Sequence, residues 1–309
     1  MQHAVAGGAL AAWLRPLRAD RAHCLLALDF DGTLAPIVPD PSAARPSASC
    51  RSLLARLSCS PRCTLVLLSG RGVPSLRALA GLPASTRMAW VGAHGATCEA
   101  SAALALSSWG PPAGAAAALA AVRADLETVL ASGVAHGAAL EDHGSSLSCH
   151  YRACSERGGA ALAAAVDAAL VRAAGAGAGA TDAPVLERRG GQLVHEVRLR
   201  GVDKGVALAR IVRDAVAGLP ASGTTALQLL VAGDDVTDED AFGAALALEG
   251  ELAGRLVALP IVIAGAGGVD EAAHPPRLQL ARATAARAWL RDPAEVEQVL
   301  QSIAKMLGV

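Results

Sequence analysis

The sequence predicts an α/β protein, a doubly wound parallel sheet with an inserted smaller α+β domain, and three observations predict it. Short apolar runs recur along the chain, and each stops at a polar or glycine-bearing corner. Helical patterns lie between those runs. The middle third breaks the alternation with two units, each a helix followed by a pair of short strands.

Taken in order, Cys24-Leu25-Leu26-Ala27-Leu28 runs into Asp29-Phe30-Asp31-Gly32-Thr33, and Cys63-Thr64-Leu65-Val66-Leu67-Leu68 into Ser69-Gly70-Arg71. Met88-Ala89-Trp90-Val91 precedes Gly92-Ala93-His94-Gly95. Leu227 to Ala232 runs into Gly233-Asp234-Asp235, and Leu259 to Ile263 stops before Gly265. Apolarity that is continuous rather than alternating marks a strand buried on both faces of a parallel sheet. Helices are expected over 48–57, 73–79, 205–216, 239–248 and 293–307. Such a sheet binds ligands at the carboxyl ends of its strands, where all the polar corners fall.

The inserted domain is expected over residues 110–198, splitting the core into 1–109 and 199–309. Its helices are expected over 113–130 and 155–174, and its strands over 137–141, 146–151, 185–188 and 192–198, an αββαββ unit. The Gly/Ala alternation from Gly175 to Ala180 follows a helix rather than a strand, so it reads as a connector and not as a dinucleotide loop.

Composition narrows the function classes. At roughly 100–200 residues per domain, 309 residues allow one large or two medium domains. Hydrophobic residues make up 53% and aromatics only 2%, so the core must be aliphatic. A net charge of −1 excludes a broad basic surface for nucleic acid or anionic lipid. An anionic substrate must therefore be met locally. The uncharged stretch from Ala100 to Val122 is broken by Gly110-Pro111-Pro112 and is alanine-rich, so no membrane span is expected there. Seven scattered cysteines without a C-x-x-C pair suggest a reducing, cytoplasmic setting rather than disulfides or zinc. The N-terminal stretch carries Arg15, Arg18 and Arg21 but no compact apolar segment with a cleavage site, which argues against a secretory signal and leaves an organelle leader open.

The corners carry the chemistry. Asp29 and Asp31 lie two apart, so in extended backbone both carboxylates project to one side. They then repel unless a cation lies between them or one keeps a proton; a solvated turn is the other reading of D-x-D-G. Gly233-Asp234-Asp235 brings further acid to the same edge, a set suited to Mg²⁺. Asp235 to Asp240 also reads as an acid-rich helix start with Thr237 as N-cap. Ser69-Gly70-Arg71 offers a hydroxyl, a backbone N–H and a guanidinium, a phosphate cradle or else a plain turn. Of the 27 Lys and Arg residues only Lys204 and Lys305 are lysine. Lys204 sits in a helix first turn, where the dipole disfavours a cation, so a local need for a compact ammonium is indicated.

In order, Asp29-Phe30-Asp31-Gly32-Thr33-Leu34, Ser69-Gly70-Arg71, Asp203-Lys204-Gly205 and Gly233 to Glu239 resemble the four motifs of the haloacid dehalogenase superfamily. Gly92 to Gly95, Glu141 to Arg152, Glu196-Val197-Arg198 and Leu290 to Val296 extend the likeness to its trehalose-6-phosphate phosphatases, over about residues 21–303. The resemblance implies a Rossmann-like core and a cap, and an Mg²⁺-dependent hydrolysis of a sugar phosphate. It implies Asp29 as nucleophile, Asp31 as general acid and base, and Ser69 and Lys204 as holders of the phosphoryl group. Mg²⁺ is implied on Asp29, on the Asp31 backbone carbonyl and on Asp234, with Thr33, Asp235 and Asp238 in support. Gly70 and Arg71 are expected beside the substrate, and Glu141, His143, Arg152 and Glu196 on the sugar. His143 and Gln192 stand where lysines are common in the family, which bears on which sugar is taken. A different sugar phosphate, such as sucrose 6-phosphate, and a non-enzymatic sensor or regulatory partner are the alternatives. Intact Asp29, Asp31, Lys204 and Asp234 argue against the latter. The implied partners are a small sugar phosphate and a trehalose-6-phosphate synthase in trans.

Overall fold

The structure, a computed structural model, describes residues 2–4, 8–18, 22–142, 144–176, 186–191, 193–219, 226–265 and 284–309. The chain divides into two compact units, Met1–Ser108 with Asp203–Val309, and Trp109–Val202.

The first unit holds β1 (Gln2–His3), α1 (Gly8–Arg18), β2 (Ala22–Leu28), α2 (Ala48–Cys59), β3 (Cys63–Leu68), α3 (Val73–Ala80), β4 (Met88–Gly92) and β5 (Thr97–Ala100). The second unit, residues 109–202, interrupts it. The first then resumes with α6 (Lys204–Ala217), β10 (Ala226–Gly233), α7 (Val236–Glu251), β11 (Leu256–Ile263), β12 (Ala288–Leu290) and α8 (Pro293–Leu307). Among the described residues these strands form one sheet in the order β1-β12-β11-β10-β2-β3-β4-β5, parallel throughout except for β5. All six residues of β3 are buried, as the unbroken apolar run requires of a strand covered on both faces. Leu28 lies opposite Ala232 of β10 and Leu67 of β3, so the residues after these three central strands leave the sheet at one edge. That alignment builds the site.

Helix starts follow local chemistry. Ser47, Asp203 and Asp292 cap α2, α6 and α8, each accepting from a backbone N–H in the first turn. In α8, Val296, Val299, Leu300 and Ile303 recur at three- and four-residue spacing and are buried, each contributing about 1.5–3 kcal/mol. Pro260 lies inside β11, where a missing N–H is usually damaging. Its carbonyl accepts from Arg287 N just before β12 begins, so the residue's polar side faces that flank and spares the ladder to β10.

Four elements escaped the sequence reading. β1 and β12 are two and three residues long, too short to show a period. β5 turns back antiparallel on β4. α1 mixes Ala, Gly and Pro16, yet buries Leu10, Trp13 and Leu17 in the core. One cap is corrected: α7 begins at Val236, with Asp235 rather than Thr237 as N-cap. Asp235 accepts from the backbone while Asp238 reaches back in a capping box, a pairing Thr237 cannot make from inside the helix.

The second unit is α4 (Ala115–Ala131), β6 (Ala139–Asp142), β7 (Ser146–His150), α5 (Glu156–Ala176), β8 (Leu186–Gly191) and β9 (Val194–Leu199). Its strands form an antiparallel sheet, β6-β7-β9-β8. Leu147, Cys149, Val197 and Leu199 alternate into its core with Leu119, Val122 and Leu126 of α4 and Leu162 and Val166 of α5. Gly175 lies in the last turns of α5, and residues 177–180 of the expected connector lie outside the described residues. Among the described residues Glu156–Gly175 is long and apolar enough to cross a membrane, but its buried side chains belong to this core and its Asp167 and Arg172 are ion-paired to Arg188 and Asp125.

Candidate active site

Asp29 follows the last residue of β2, and its amide donates to Ala232 O of β10, 2.9 Å away, which fixes it at the centre of the sheet edge. Lys204 opens α6 and points inward. Its Nζ donates to Asp29 Oδ1 and to Asp238 Oδ1, each at 2.7 Å, and the three side chains are almost wholly buried. Asp238 is itself locked, since its Oδ2 accepts from the amides of Asp234 and Asp235 at 3.2 and 3.1 Å. Two glycines make room. A Cβ on Gly32, at φ +79°, would strike the Asp234 carboxylate, and one on Gly233 would strike Asp238.

Carboxylate oxygens of Asp29, Asp234 and Asp238 all lie within 4.8 Å of one another, so a third buried acid stands beside the two that Lys204 bridges. Burial is the strongest influence on Asp29 and lifts its carboxyl well above the usual range; Lys204 pulls the other way, and Asp238 and Asp234 add to the rise. Burial also works to discharge Lys204, but the two carboxylates outweigh it and hold the ammonium above its ordinary range. The cluster is thus deficient in positive charge. Its donors are hard oxygens, and Asp238 is already engaged on both of them, so Asp29 and Asp234 are the side chains that fit a Mg²⁺-type cation.

Asp31 is elsewhere. The extended geometry that would project it beside Asp29 ends at Leu28, where Leu34 N and Ala35 N fold back to Phe30 O and Gly32 N donates to Ala35 O. The Asp31 carboxylate, half-exposed, takes a bidentate pair from Arg71, Nε at 2.6 Å and Nη2 at 2.7 Å. Arg71, expected on substrate, is therefore held by Asp31 and by Pro41 O. This contact escaped the sequence reading although the register contained it: β2 and β3 are neighbours, and Asp31 and Arg71 stand three residues beyond their last residues. Ser69 is buried, with its amide on Val91 O, its carbonyl on His94 N, and its Oγ accepting from Arg71 N at 3.2 Å. Gly70 abuts the ring of His94, a residue at φ +53°. Thr33 is fully buried, and Asp235 is the exposed cap of α7.

In the second unit, Glu141 of β6, Ser148 of β7, Glu196 of β9 and Arg189 of β8 are successive cross-strand partners, so they form one row on one face of the sheet. Glu141 and Glu196 are thus brought onto a common face, and Glu141 also meets His150 at 3.3 Å. Arg152 is exposed just beyond β7. His143 and Gln192 lie outside the described residues.

Residues 27–257 match the family described as trehalose-phosphatase. A trehalose-phosphate phosphatase of Mycobacterium avium is 32% identical over 295 residues, covering 92% of this chain and 63% of that protein. The chain therefore spans less than two thirds of the length of that relative. Among solved structures, an Aspergillus fumigatus trehalose-6-phosphate phosphatase aligns at a TM-score of 0.65 with 26% identity over 95% of this chain and 97% of the other. The C-terminal domain of a Candida albicans trehalose-6-phosphate phosphatase shares the fold at a TM-score of 0.63, with 22% identity over 97% of each chain.

Proposed function

Because the chain belongs to the trehalose-phosphatase family, we propose that it hydrolyses trehalose 6-phosphate to trehalose and phosphate through an aspartyl-phosphate. The observation that carries this reading is the buried Lys204 bridging Asp29 and Asp238 beside Asp234. A buried ion network of this kind is costly to build and typical of a site that manages transferred charge.

In this reading an Asp29 carboxylate oxygen attacks phosphorus and the bond from phosphorus to the sugar oxygen breaks. Asp31 gives its proton to the departing oxygen. Asp31 then takes a proton from water, which attacks the acyl phosphate, releases phosphate and restores Asp29. Lys204 and the Ser69 hydroxyl hold the phosphoryl oxygens, and the Arg71 fork orients the Asp31 carboxylate. Bound by Asp29, Asp234 and the Asp31 main-chain carbonyl, Mg²⁺ supplies the charge neutralisation that lets an anionic nucleophile meet an anionic ester. Thr33 and Asp235 support the loops that carry these groups.

The unit Trp109–Val202 serves as the substrate-specifying cap, with Glu141 and Glu196 on their shared row and with His143 and Arg152 engaging the sugar. A synthase acting in trans supplies the substrate, and seven free cysteines are in keeping with a cytoplasmic setting. Phosphate release from a panel of sugar phosphates, with Mg²⁺ and with chelator, tests the assignment. Trehalose 6-phosphate is expected to turn over fastest, and only with metal. Faster turnover of another ester such as sucrose 6-phosphate overturns the sugar assignment, and no release from any ester overturns the activity.

A further inference from the structure

Just after β4, Ala93 and His94 hold left-handed backbone at φ +57° and +53°, and Gly95 follows at φ +107°. Among the described residues only one other residue with a side chain, Leu193, has a positive φ. Left-handed backbone is costly for a residue with a Cβ, and alanine has no polar side chain to offset the cost. Such strain persists only where the surroundings enforce it, and it gathers at functional sites.

Here the enforcing contacts lie on two sides. The Ala93 amide donates to Arg71 O at 2.8 Å and the His94 amide to Ser69 O at 3.0 Å, while the Ser69 amide donates to Val91 O at 2.9 Å. Three backbone bonds thus fasten the Ser69-Gly70-Arg71 loop to the end of β4. The half-buried His94 ring lies on the same loop: a Cβ on Gly70 would stand 2.5 Å from its Nε2 and 2.6 Å from its Cε1. On the other side, a Cβ on Gly95 would stand 2.6 Å from Asp203 O and 2.9 Å from the Ala207 Cβ. Those two residues flank Lys204 at the start of α6, so the strained segment is packed between the Ser69 loop and the helix that carries the ammonium.

On the reading that Ser69 and Lys204 hold the phosphoryl oxygens, we propose that His94 is a positioning residue. Its left-handed backbone and its ring, seated on Gly70, fix the Ser69 hydroxyl relative to Lys204. Ser69 Oγ accepts from Arg71 N at 3.2 Å, so a loop that shifts carries the hydroxyl with it. A displacement of about 1 Å in a group that orients a reacting oxygen is enough to cost about a hundredfold in rate.

The test is a double-mutant cycle on the full chain with Mg²⁺, assayed well below the melting transition on trehalose 6-phosphate and on p-nitrophenyl phosphate. Glycine and asparagine both accept left-handed backbone, so His94→Gly and His94→Asn remove the ring without forcing the chain to move. Each should keep Tm within about 3 °C of wild type while kcat falls about tenfold or more. In a Ser69→Ala background His94→Asn should cost less than about twofold, because its effect passes through a hydroxyl that is already gone. A merely structural role would leave the two losses multiplicative. Undiminished kcat in both His94 variants overturns the proposal, and so does a tenfold loss that recurs undiminished without Ser69. Wild-type turnover of the aryl ester alone overturns the sugar assignment, and the cycle on that ester still decides the role of His94. Turnover of neither ester overturns both.

Discussion

The two ends of β2 carry opposite charge problems. At its carboxyl end, three buried carboxylates lie together, one ammonium bridges two of them, and both oxygens of Asp238 are held by named partners. At its amino end, two guanidiniums and an imidazole face a cavity with no acid in its described lining. One strand of a parallel sheet thus runs from a basic, open end to an acidic, closed one. The closed end is preorganised: Lys204 cannot leave without stranding two buried charges, so the geometry is fixed before any ligand arrives. The open end instead gathers basic and hydroxyl side chains around a cavity, with His23 bonded to Thr64 and Arg62 and Arg87 donating to backbone carbonyls. The lesson is that buried acids gathered around one ammonium predict the sign of the ligand that joins them, a cation at the carboxyl edge.

The comparison can be broken most severely at the acidic end. Asp29→Asn removes the proposed nucleophile while keeping its shape, and turnover should fall about a thousandfold or more with the melting transition retained. Activity assays paired with circular dichroism check this. Next in size, Lys204→Ala strands Asp29 and Asp238 and should cost about 3–5 kcal/mol in urea denaturation; Lys204→Arg should not rescue it, because a planar fork cannot replace a compact ammonium between two carboxylates. Third, saturating Mg²⁺ should stabilise the folded chain, by about 2.7 kcal/mol at a hundred times its Kd. That increment should vanish in Asp234→Asn, while a Mg²⁺ response unchanged by the substitution would place the ion elsewhere.

The smallest effect lies at the basic end. Because the folded His23 pKa is depressed, its contribution to stability is fully present above its unfolded value of about 6.5 and is lost as pH falls through the lowered folded value. Acidification below about pH 6.5 should therefore lower Tm in the wild type, and His23→Gln should remove that component, a difference of no more than about 2 °C. Parallel melting curves of the two proteins across that window measure it.

The sheet was legible where burial on both faces forced unbroken apolar runs: the expected strand over Cys63 to Leu68 is β3 residue for residue. It was not legible at the margins. β12 pairs with β11 through three residues whose partner is distant in sequence, and α1 buries a stripe that its Gly, Ala and Pro disguise. The site divides in the same way. Lys204 stood out because this chain otherwise uses arginine, and its inward position is what the structure shows. Asp238 read as one acid of a helix start and, by the resemblance, as a supporting residue; its contacts depend on where α7 starts, and a two-residue shift of the cap makes it the second partner of Lys204. The Asp31–Arg71 pair depends on strand neighbourhood, which no local pattern encodes. In the second unit, the common row of Glu141 and Glu196 likewise required the register of three strands.

The central claim, that Asp29 becomes covalently phosphorylated, is tested most directly by acid-quenching the chain during turnover of trehalose 6-phosphate with Mg²⁺ and mapping the phosphoryl group by peptide mass spectrometry. The expected result is a phosphoryl group on the peptide bearing Asp29, sited at that residue by fragmentation and absent from Asp29→Asn. Phosphorylation of a different residue, or undiminished turnover by Asp29→Asn, would contradict the account.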